Sequence, residues 1–170
     1  MSLRENIIKE ARRIQEDSLY SAKGHFVAAS VWGNVRLFIG LPTAAMAAVA
    51  GASALSDFDS HNVVAGVLAI IVSGLTAMTT FLNPNERASA HLRAGNRFNS
   101  LKNAARTFRG IECLGTRPDE DLAGCVKELA KERDRLNEDS AQIPGWAYRW
   151  AKRGIEKGEA AYQVDTEDGV

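Results

Sequence analysis

Histidine and cysteine are the residue types in this chain that most readily carry out acid–base, metal or thiol chemistry. The histidines are His25, His61 and His91, and the cysteines are Cys113 and Cys125. The histidines are too scattered along the sequence to indicate a metal cluster, and neither cysteine belongs to a CxxC pair. We therefore expect no metal site and two free thiols.

Recognised signatures of catalysis do not occur in the sequence. It has no GxxxxGK[ST], no GxGxxG after a strand, no HExxH and no GxSxG. His91 is expected to orient neighbouring groups rather than to transfer protons. The sequence thus predicts a protein that is not an enzyme and that holds no cofactor.

Three hydroxyl side chains share one side of a predicted helix. Ser73, Thr76 and Thr80 stand at positions i, i+3 and i+7, which places them along one stripe. Such a stripe can line a narrow, water-filled pore. The alternative is that each hydroxyl bonds to a carbonyl of its own helix, as Ser and Thr commonly do in membrane helices.

The helix that holds this stripe lies in one of two stretches without charged side chains. On average the chain resembles a soluble protein, with 45% hydrophobic and 25% charged residues. Its charges are nevertheless absent from residues 37–56 and from 62–83. About 20 residues of helix, at 1.5 Å each, cross the roughly 30 Å of a bilayer core. We predict an all-α membrane protein with two transmembrane helices, and the alternative is a soluble helical bundle.

The short segment between the two spans sets their orientation. Residues 57–61 form a short, polar linker, so the two spans are expected to be antiparallel. The linker contains no Lys or Arg, which predicts that it is an external loop. All 21 basic residues lie outside the hairpin, on the two flanking arms. The positive-inside rule then predicts that both termini are cytoplasmic.

Small residues recur at four-residue spacing in the first span. Gly40 and Ala44 form one such pair, and Ala47 and Gly51 form another, which gives a flat face for close helix packing. This face can pack against the second span of the same chain or against another subunit. Pro42 is expected in the first turns of the helix, where its missing N–H costs least.

The two arms are predicted to be helical and cytoplasmic. Residues 1–36 form an amphipathic helix, residues 84–164 form further helices, and the tail 165–170 is expected to be disordered. Asn83 and Glu86 can form a capping box with Pro84 as the first helical residue, the alternative being a kinked continuation.

Aromatic and basic side chains mark positions suited to the membrane surface. Trp32 and Arg36 precede the first span, and Trp146 and Trp150 lie in a basic segment near the C-terminus. We predict that these four residues are interfacial anchors. The alternative for Trp146 and Trp150 is docking on the other arms. The lipid bilayer is therefore the expected partner, and nucleic acid is not expected because the net charge is zero.

The layout resembles a known family. A long N-terminal helix, two spans with a short loop, an Asn-Pro exit and the run His91-x3-Gly95-Asn96-x-Phe98-x2-Leu101 are similar to SLATT-domain proteins. These are two-transmembrane effectors associated with nucleotide-second-messenger synthases and ligand-sensing domains in bacterial conflict systems. The resemblance covers nearly the whole chain.

The resemblance implies a function that the residues alone do not. It implies an effector of the cell inner membrane that forms homo-oligomers and permeabilises the membrane as a pore-forming, cell-suicide or anti-phage defence. A nucleotide signal, or a partner from a nucleotide-signalling or ligand-sensing system, would activate it. The alternative is a membrane-tethered helical scaffold that recruits a soluble partner and conducts nothing.

Overall fold

The structure, a computed structural model, describes residues 2–55 and 59–162, except for the side chains of 59–62. Within these residues the helices are α1 (Leu3–Ala54), α2 (Asp59–Leu82), α3 (Pro84–Gly110), a 3-10 turn (Glu112–Leu114), α4 (Asp119–Asp139) and α5 (Gly145–Glu156). This described part contains no strand, so the all-helical prediction is confirmed. Residues 57–58 of the predicted loop, and the predicted disordered tail 165–170, lie outside it.

The chain divides into two compact units. We call Met1–Ala29 together with Ala90–Val170 the charged unit, and Ser30–Ser89 the hairpin unit. The charged unit takes its helices from both arms of the sequence, whereas the hairpin unit contains both apolar stretches. The segregation of charge along the sequence therefore corresponds to a division of the fold.

Helix α1 continues without a break through the predicted boundary between residues 36 and 37. The prediction that Pro42 lies in the first turns of a helix is wrong, because α1 begins at Leu3 and Pro42 lies in its interior. A proline there removes one backbone donor. The hydroxyl of Thr43 donates to the carbonyl of Ile39 at 2.6 Å, which adds a hydrogen bond in the turn that Pro42 weakens.

The junction between α2 and α3 is a single residue. Asn83 has a φ of 41°, in the left-handed region that Asn tolerates better than most residues. Pro84 is the first residue of α3, as predicted. The predicted capping box does not form, because the Asn83 N–H donates to the carbonyl of Thr79 at 2.9 Å. The Asn83 side-chain amide instead donates to the carboxylate of Glu86.

The charged unit is a helical bundle with its own core. Its buried apolar side chains come from the N-terminal part of α1, from α3, from the 3-10 turn and from α4. They include Ile14, Phe98, Leu101, Leu122 and Leu136. Contact between residues so far apart in sequence ties the N-terminal helix to the C-terminal arm.

Arg4 holds the turn between α3 and α4. Its Nε donates to Asp119 at 2.7 Å, and its terminal nitrogens donate to the carbonyls of Gly115, at 2.8 Å, and Arg117. A guanidinium has five N–H donors in a fixed plane, so one side chain can satisfy several acceptors. The loop is thereby fastened to the first turn of α1.

The two helices of the hairpin unit pack along a regular seam. The least exposed residues of each helix recur at three- and four-residue spacing, as in a coiled-coil stripe. In α1 they are Ile39, Thr43, Met46, Ala50 and Ser53, and in α2 they are Ala65, Leu68, Val72, Leu75, Thr79 and Leu82. The short link between the helices makes them antiparallel.

Both helices of this unit are long and apolar enough to cross a membrane. The segments Leu3–Ala54 and Val63–Leu114 each contain an apolar 18-residue window that meets this criterion. None of the first window and 6% of the second is buried. The core helix of a soluble protein is instead mostly buried, so the exposed windows weigh against the soluble-bundle alternative.

Candidate membrane hairpin and its boundary

The small residues predicted for helix packing are exposed in the single chain. Gly40, Ala44, Ala47 and Gly51 all have exposed positions on α1. A Cβ added at Gly40 or Gly51 would meet no described atom within 4 Å. In the structure this face therefore does not pack against the second span of the same chain, which was one of the two alternatives.

The hydroxyl stripe of α2 is exposed as well. Ser73, Thr76 and Thr80 lie outside the seam. Ser73 donates to the carbonyl of Ala69 at 2.8 Å, and Thr80 donates to that of Thr76 at 2.9 Å. Both hydroxyl protons are thus used within the helix, as the alternative to pore lining requires. Their oxygens retain lone pairs that can accept a hydrogen bond from outside.

Helix handedness brings these two sets of residues to one side of the hairpin. Viewed along α1 from its N-terminal end, each successive residue is rotated about 100° clockwise around the helix axis. Viewed from the same direction, each successive residue of the antiparallel α2 is rotated about 100° anticlockwise. Since the two seams face each other, residues that directly follow a seam residue lie on the same side. Every member of both sets does so: Gly40, Ala44, Ala47, Gly51, Ser73, Thr76 and Thr80. We call these seven residues the small-residue face.

The opposite side of the hairpin carries large apolar side chains. Residues that directly precede the seam lie there, and the exposed ones include Phe38, Val49, Ile71, Met78 and Phe81. Phe38 is 79% exposed and Phe81 is 87% exposed. We call these five residues the bulky face. The hairpin therefore has two chemically different sides, one suited to close helix contact and one to lipid chains.

Aromatic and basic side chains meet where the apolar stretches end. Arg36 of α1 donates to the side-chain oxygen of Asn85 at 3.2 Å. The guanidinium carbon of Arg87 lies 5.0 Å from the ring centroid of Trp32, within the range of a cation–π contact. Two of the predicted anchors, Trp32 and Arg36, thus have partners near the start of α3.

The other two predicted anchors lie on α5. Trp146 and Trp150 contact edge to face, with ring centroids 5.7 Å apart. Ala147 and Ala151 of the same helix are buried, whereas Trp150 is 56% exposed. The small residues of α5 are therefore buried in the packing contact, whereas the side chain of Trp150 is exposed.

The structure brings together two histidines that were not predicted to pair. His25 is 1% exposed and His91 is 5% exposed, and their Nδ1 atoms lie 2.9 Å apart. The ring of His25 also stacks on Phe98, with centroids 5.6 Å apart. Burial, together with the neighbouring His91, lowers the pKa of His25 to about 4.

The run that carries the family resemblance forms a packed surface of the charged unit. His91 pairs with His25, and Phe98 stacks on His25. Gly95 lies so close to Phe26 that a Cβ there would be 2.8 Å from the phenyl ring. The run therefore joins α3 to the N-terminal part of α1, which is a structural role.

The remaining candidates for chemistry are not assembled into a site. Among the described residues no group of three or more His, Cys, Asp or Glu is placed to hold a metal ion. Cys113 and Cys125 are free, and burial raises the pKa of the Cys113 thiol. A raised pKa keeps a thiol protonated and poorly nucleophilic.

Comparison of the chain with protein-family models, with curated proteins and with solved structures gave no match. The geometry of the hairpin and of its boundary is therefore the basis on which a function can be proposed.

Proposed function

We propose that the protein is an effector of the prokaryotic inner membrane. In this proposal α1 and α2 cross the bilayer as a hairpin, and both termini are cytoplasmic. The chains oligomerise and permeabilise the membrane when a nucleotide signal or a partner protein activates them, as a pore-forming cell-suicide or anti-phage defence.

The observation that carries the proposal is the unburied apolar surface of the hairpin unit. The apolar windows of the two helices are 0% and 6% buried. Leaving apolar surface in water costs about 25 cal/mol per Å², and a bilayer removes that cost. The length of the helices and their exposed large side chains both suit lipid.

Oligomerisation is supported by the small-residue face. Small residues let helix backbones approach closely, and in lipid such packing replaces the hydrophobic effect as the source of association. No described atom of the chain's own hairpin covers Gly40 or Gly51. A second copy of the hairpin fits this surface, with hydroxyl oxygens of α2 left beside the contact.

The orientation and the signal are supported by the sequence. The segment between the spans lacks Lys and Arg, and the charged unit contains most of the basic residues. The resemblance to SLATT-domain proteins supports the effector role and activation through a nucleotide or a partner. The exposed Trp150 suits contact of the charged unit with the inner surface of the membrane.

A leakage assay tests the proposal. The purified chain is reconstituted into dye-filled liposomes at increasing protein-to-lipid ratio, because high density favours association. We expect wild-type protein to float with the liposomes and to release dye. The triple variant Ser73→Val, Thr76→Val, Thr80→Val should float equally well but lose most of the leakage, since it removes the hydroxyl oxygens.

The matched control changes hydroxyls that face the seam. Thr43→Val with Thr79→Val also removes hydroxyls bonded to carbonyls of their own helices, yet neither lies on the small-residue face. This control should leak like the wild type. Equal leakage from the triple variant and the wild type would contradict pore lining, and failure to float would contradict membrane insertion.

A non-conducting scaffold is the second candidate. The observation in its favour is that Ser73 and Thr80 use their hydroxyl protons within α2. The charged unit also has an open groove of about 900 Å³, whose lining combines apolar residues such as Leu101 and Phe108 with charged ones such as Arg97, Glu128 and Glu132. A scaffold of this kind would form oligomers in the bilayer and recruit a soluble partner without releasing dye.

A further inference from the structure

We propose that Arg36 and Arg87 together bind the phosphate of an anionic phospholipid at the boundary of the hairpin unit. This inference rests on the proposed membrane insertion and adds a defined lipid partner to it. It is carried by the geometry of the two guanidinium groups and by the charge around them.

Arg36 and Arg87 both have partners on the opposite helix at the same contact between α1 and α3, although about 50 residues separate them in the sequence. Arg36 donates to Asn85, which stands two residues before Arg87. Arg87 in turn lies over the ring of Trp32, one helical turn before Arg36 on α1. Both guanidinium groups therefore lie where α1 passes the first turn of α3.

Among the described residues, no carboxylate forms an ion pair with the guanidinium of Arg36 or Arg87. Their acceptors are neutral: the amide oxygen of Asn85, and the carbonyl of Leu82 at 2.8 Å from Arg87 Nε. The nearby carboxylate of Glu86 accepts from the amide of Asn83 instead. Two positive charges thus stand beside one negative charge.

The neutral acceptors also orient the two arginines. Because Nε of Arg87 is engaged with the Leu82 carbonyl, its two terminal NH2 groups remain free to donate. One terminal nitrogen of Arg36 bonds to Asn85, which leaves the other and Nε. A phosphate accepts two parallel N–H donors from one guanidinium, so the pair can hold it from two sides.

The position of Arg36 and Arg87 along the helices favours a lipid, rather than a free anion, as the source of the phosphate. Leu82 is the last residue of α2, and the uncharged stretch of α1 begins directly after Arg36. The arginines therefore stand at the end of the apolar length, where headgroup phosphates lie, and Trp32 is the aromatic residue typical of that depth. The uncompensated positive charge favours a headgroup with net negative charge over one that has its own ammonium group.

Lipid retention tests the inference. The full-length chain is reconstituted in equal amounts of phosphatidylglycerol and phosphatidylcholine, extracted in mild detergent, and the retained lipids are counted by native mass spectrometry. We expect phosphatidylglycerol to be retained about fivefold over phosphatidylcholine. Arg36→Gln with Arg87→Gln should bring this ratio to that of the bulk mixture. A wild-type ratio equal to the bulk would overturn the inference.

Two control variants separate a two-pronged phosphate clamp from an effect of net charge. Lys9→Gln with Arg12→Gln removes the same charge from exposed positions of the charged unit and should keep the preference. Arg87→Lys should lose most of it, because an ammonium cannot form the two-pronged contact. An unchanged preference in Arg87→Lys would reduce the effect to net charge and overturn the clamp.

A soluble competitor and a flotation assay distinguish a site for free anions, a failure of insertion and a failure of lipid selection. Excess glycerophosphate should not displace the lipid, and displacement would show a site for free anions rather than for lipid. Failure of the wild type to float with liposomes of either composition would contradict the proposed insertion itself. Flotation without any preference would contradict only the lipid inference.

Discussion

Two histidines lie in contact in the core of the charged unit, and their protonation determines whether the two rings can share a hydrogen bond. With Nδ1 of His25 and His91 2.9 Å apart, one nitrogen must donate and the other must accept. If both rings are protonated, both Nδ1 atoms are donors and the contact becomes repulsive. The contact between α1 and α3 at this pair is therefore expected to be most favourable at neutral or weakly basic pH.

The free energy of unfolding should fall as the pH falls from about 6.5 to about 4. The pKa of His25 is lowered from 6.5 to about 4 in the folded chain, so in this window the unfolded chain binds the additional proton. At pH 5 the loss amounts to about 2 kcal/mol relative to pH 7. Thermal unfolding followed by circular dichroism at the two pH values measures it.

The variant His25→Asn isolates this contribution from that of the carboxylates. It is expected to be less stable than the wild type at pH 7 but to lose less stability on going to pH 5. An identical change of stability with pH in the two proteins would show that His25 does not titrate in this window.

Gly95 is required by close contact rather than by backbone conformation. A Cβ at this position would be 2.8 Å from two atoms of the Phe26 ring, which itself packs against the core. Gly95→Ala should therefore destabilise the chain by about 1–3 kcal/mol, as overpacking does. Chemical denaturation in detergent measures the difference.

Gly124→Ala is the matched control for that substitution. Gly124 lies exposed inside α4, and a Cβ there meets nothing within 4 Å. This change should stabilise the helix by about 0.5–1 kcal/mol. If the two variants changed stability in the same direction, the close contact would not explain Gly95.

The residue-scale contacts could be predicted only in part. His25 stands eleven residues before Arg36 and His91 eight residues after Asn83, so comparable distances from the hairpin offered a weak signal that the two rings meet. The spacing within each arm carries no such signal, because pairing depends on how two distant helices align. The left-handed Asn83 was likewise beyond prediction, since the same residues also match a capping box.

At the scale of elements, the two sides of the hairpin differ in the size and chemistry of their side chains. The spacing of small and hydroxyl residues could be predicted within each helix, but their common side could not. Which residues share a side depends on which face of each helix lies in the seam. The seam contains Thr43, Ser53 and Thr79 as well as apolar residues. A purely hydrophobic pattern therefore does not distinguish the seam from the rest of either helix.

Two alanines of α1 provide a direct test of this assignment. Ala47 lies on the small-residue face, whereas Ala45 lies on the opposite side, and both are exposed. Ala47→Leu should prevent the close approach of another helix and shift the protein towards monomer. Ala45→Leu should leave the proposed oligomer intact, because the lipid chains proposed to face this side accommodate the larger side chain.

The mass of the detergent-solubilised particle, corrected for bound detergent, measures both variants. A loss of oligomer in Ala45→Leu but not in Ala47→Leu would place the contact on the bulky face instead. Equal behaviour of both variants and the wild type would argue that neither side of the hairpin mediates association.

At the scale of the whole molecule, the distribution of charge predicted the organisation of the chain better than any motif did. Two uncharged stretches predicted two long apolar helices, and the charged arms correspond to a separate compact unit. The sequence did not indicate that α1 belongs to both units as one helix. Helix α1 continues through Gly33 and Asn34, two residue types that often end a helix, so neither local propensity nor the change of composition at residue 36 marks a boundary in the fold.

If the hairpin spans a membrane as proposed, the uncovered small-residue face makes association depend on the number of copies per area of membrane. A hairpin that already has a complete seam needs no refolding before it meets a neighbour. If copies associate through this face, mass action makes the assembled fraction rise steeply with surface density, and more steeply for larger rings. A scarce chain then stays dispersed, whereas crowding into one patch of membrane drives assembly without any change in the conformation of the hairpin.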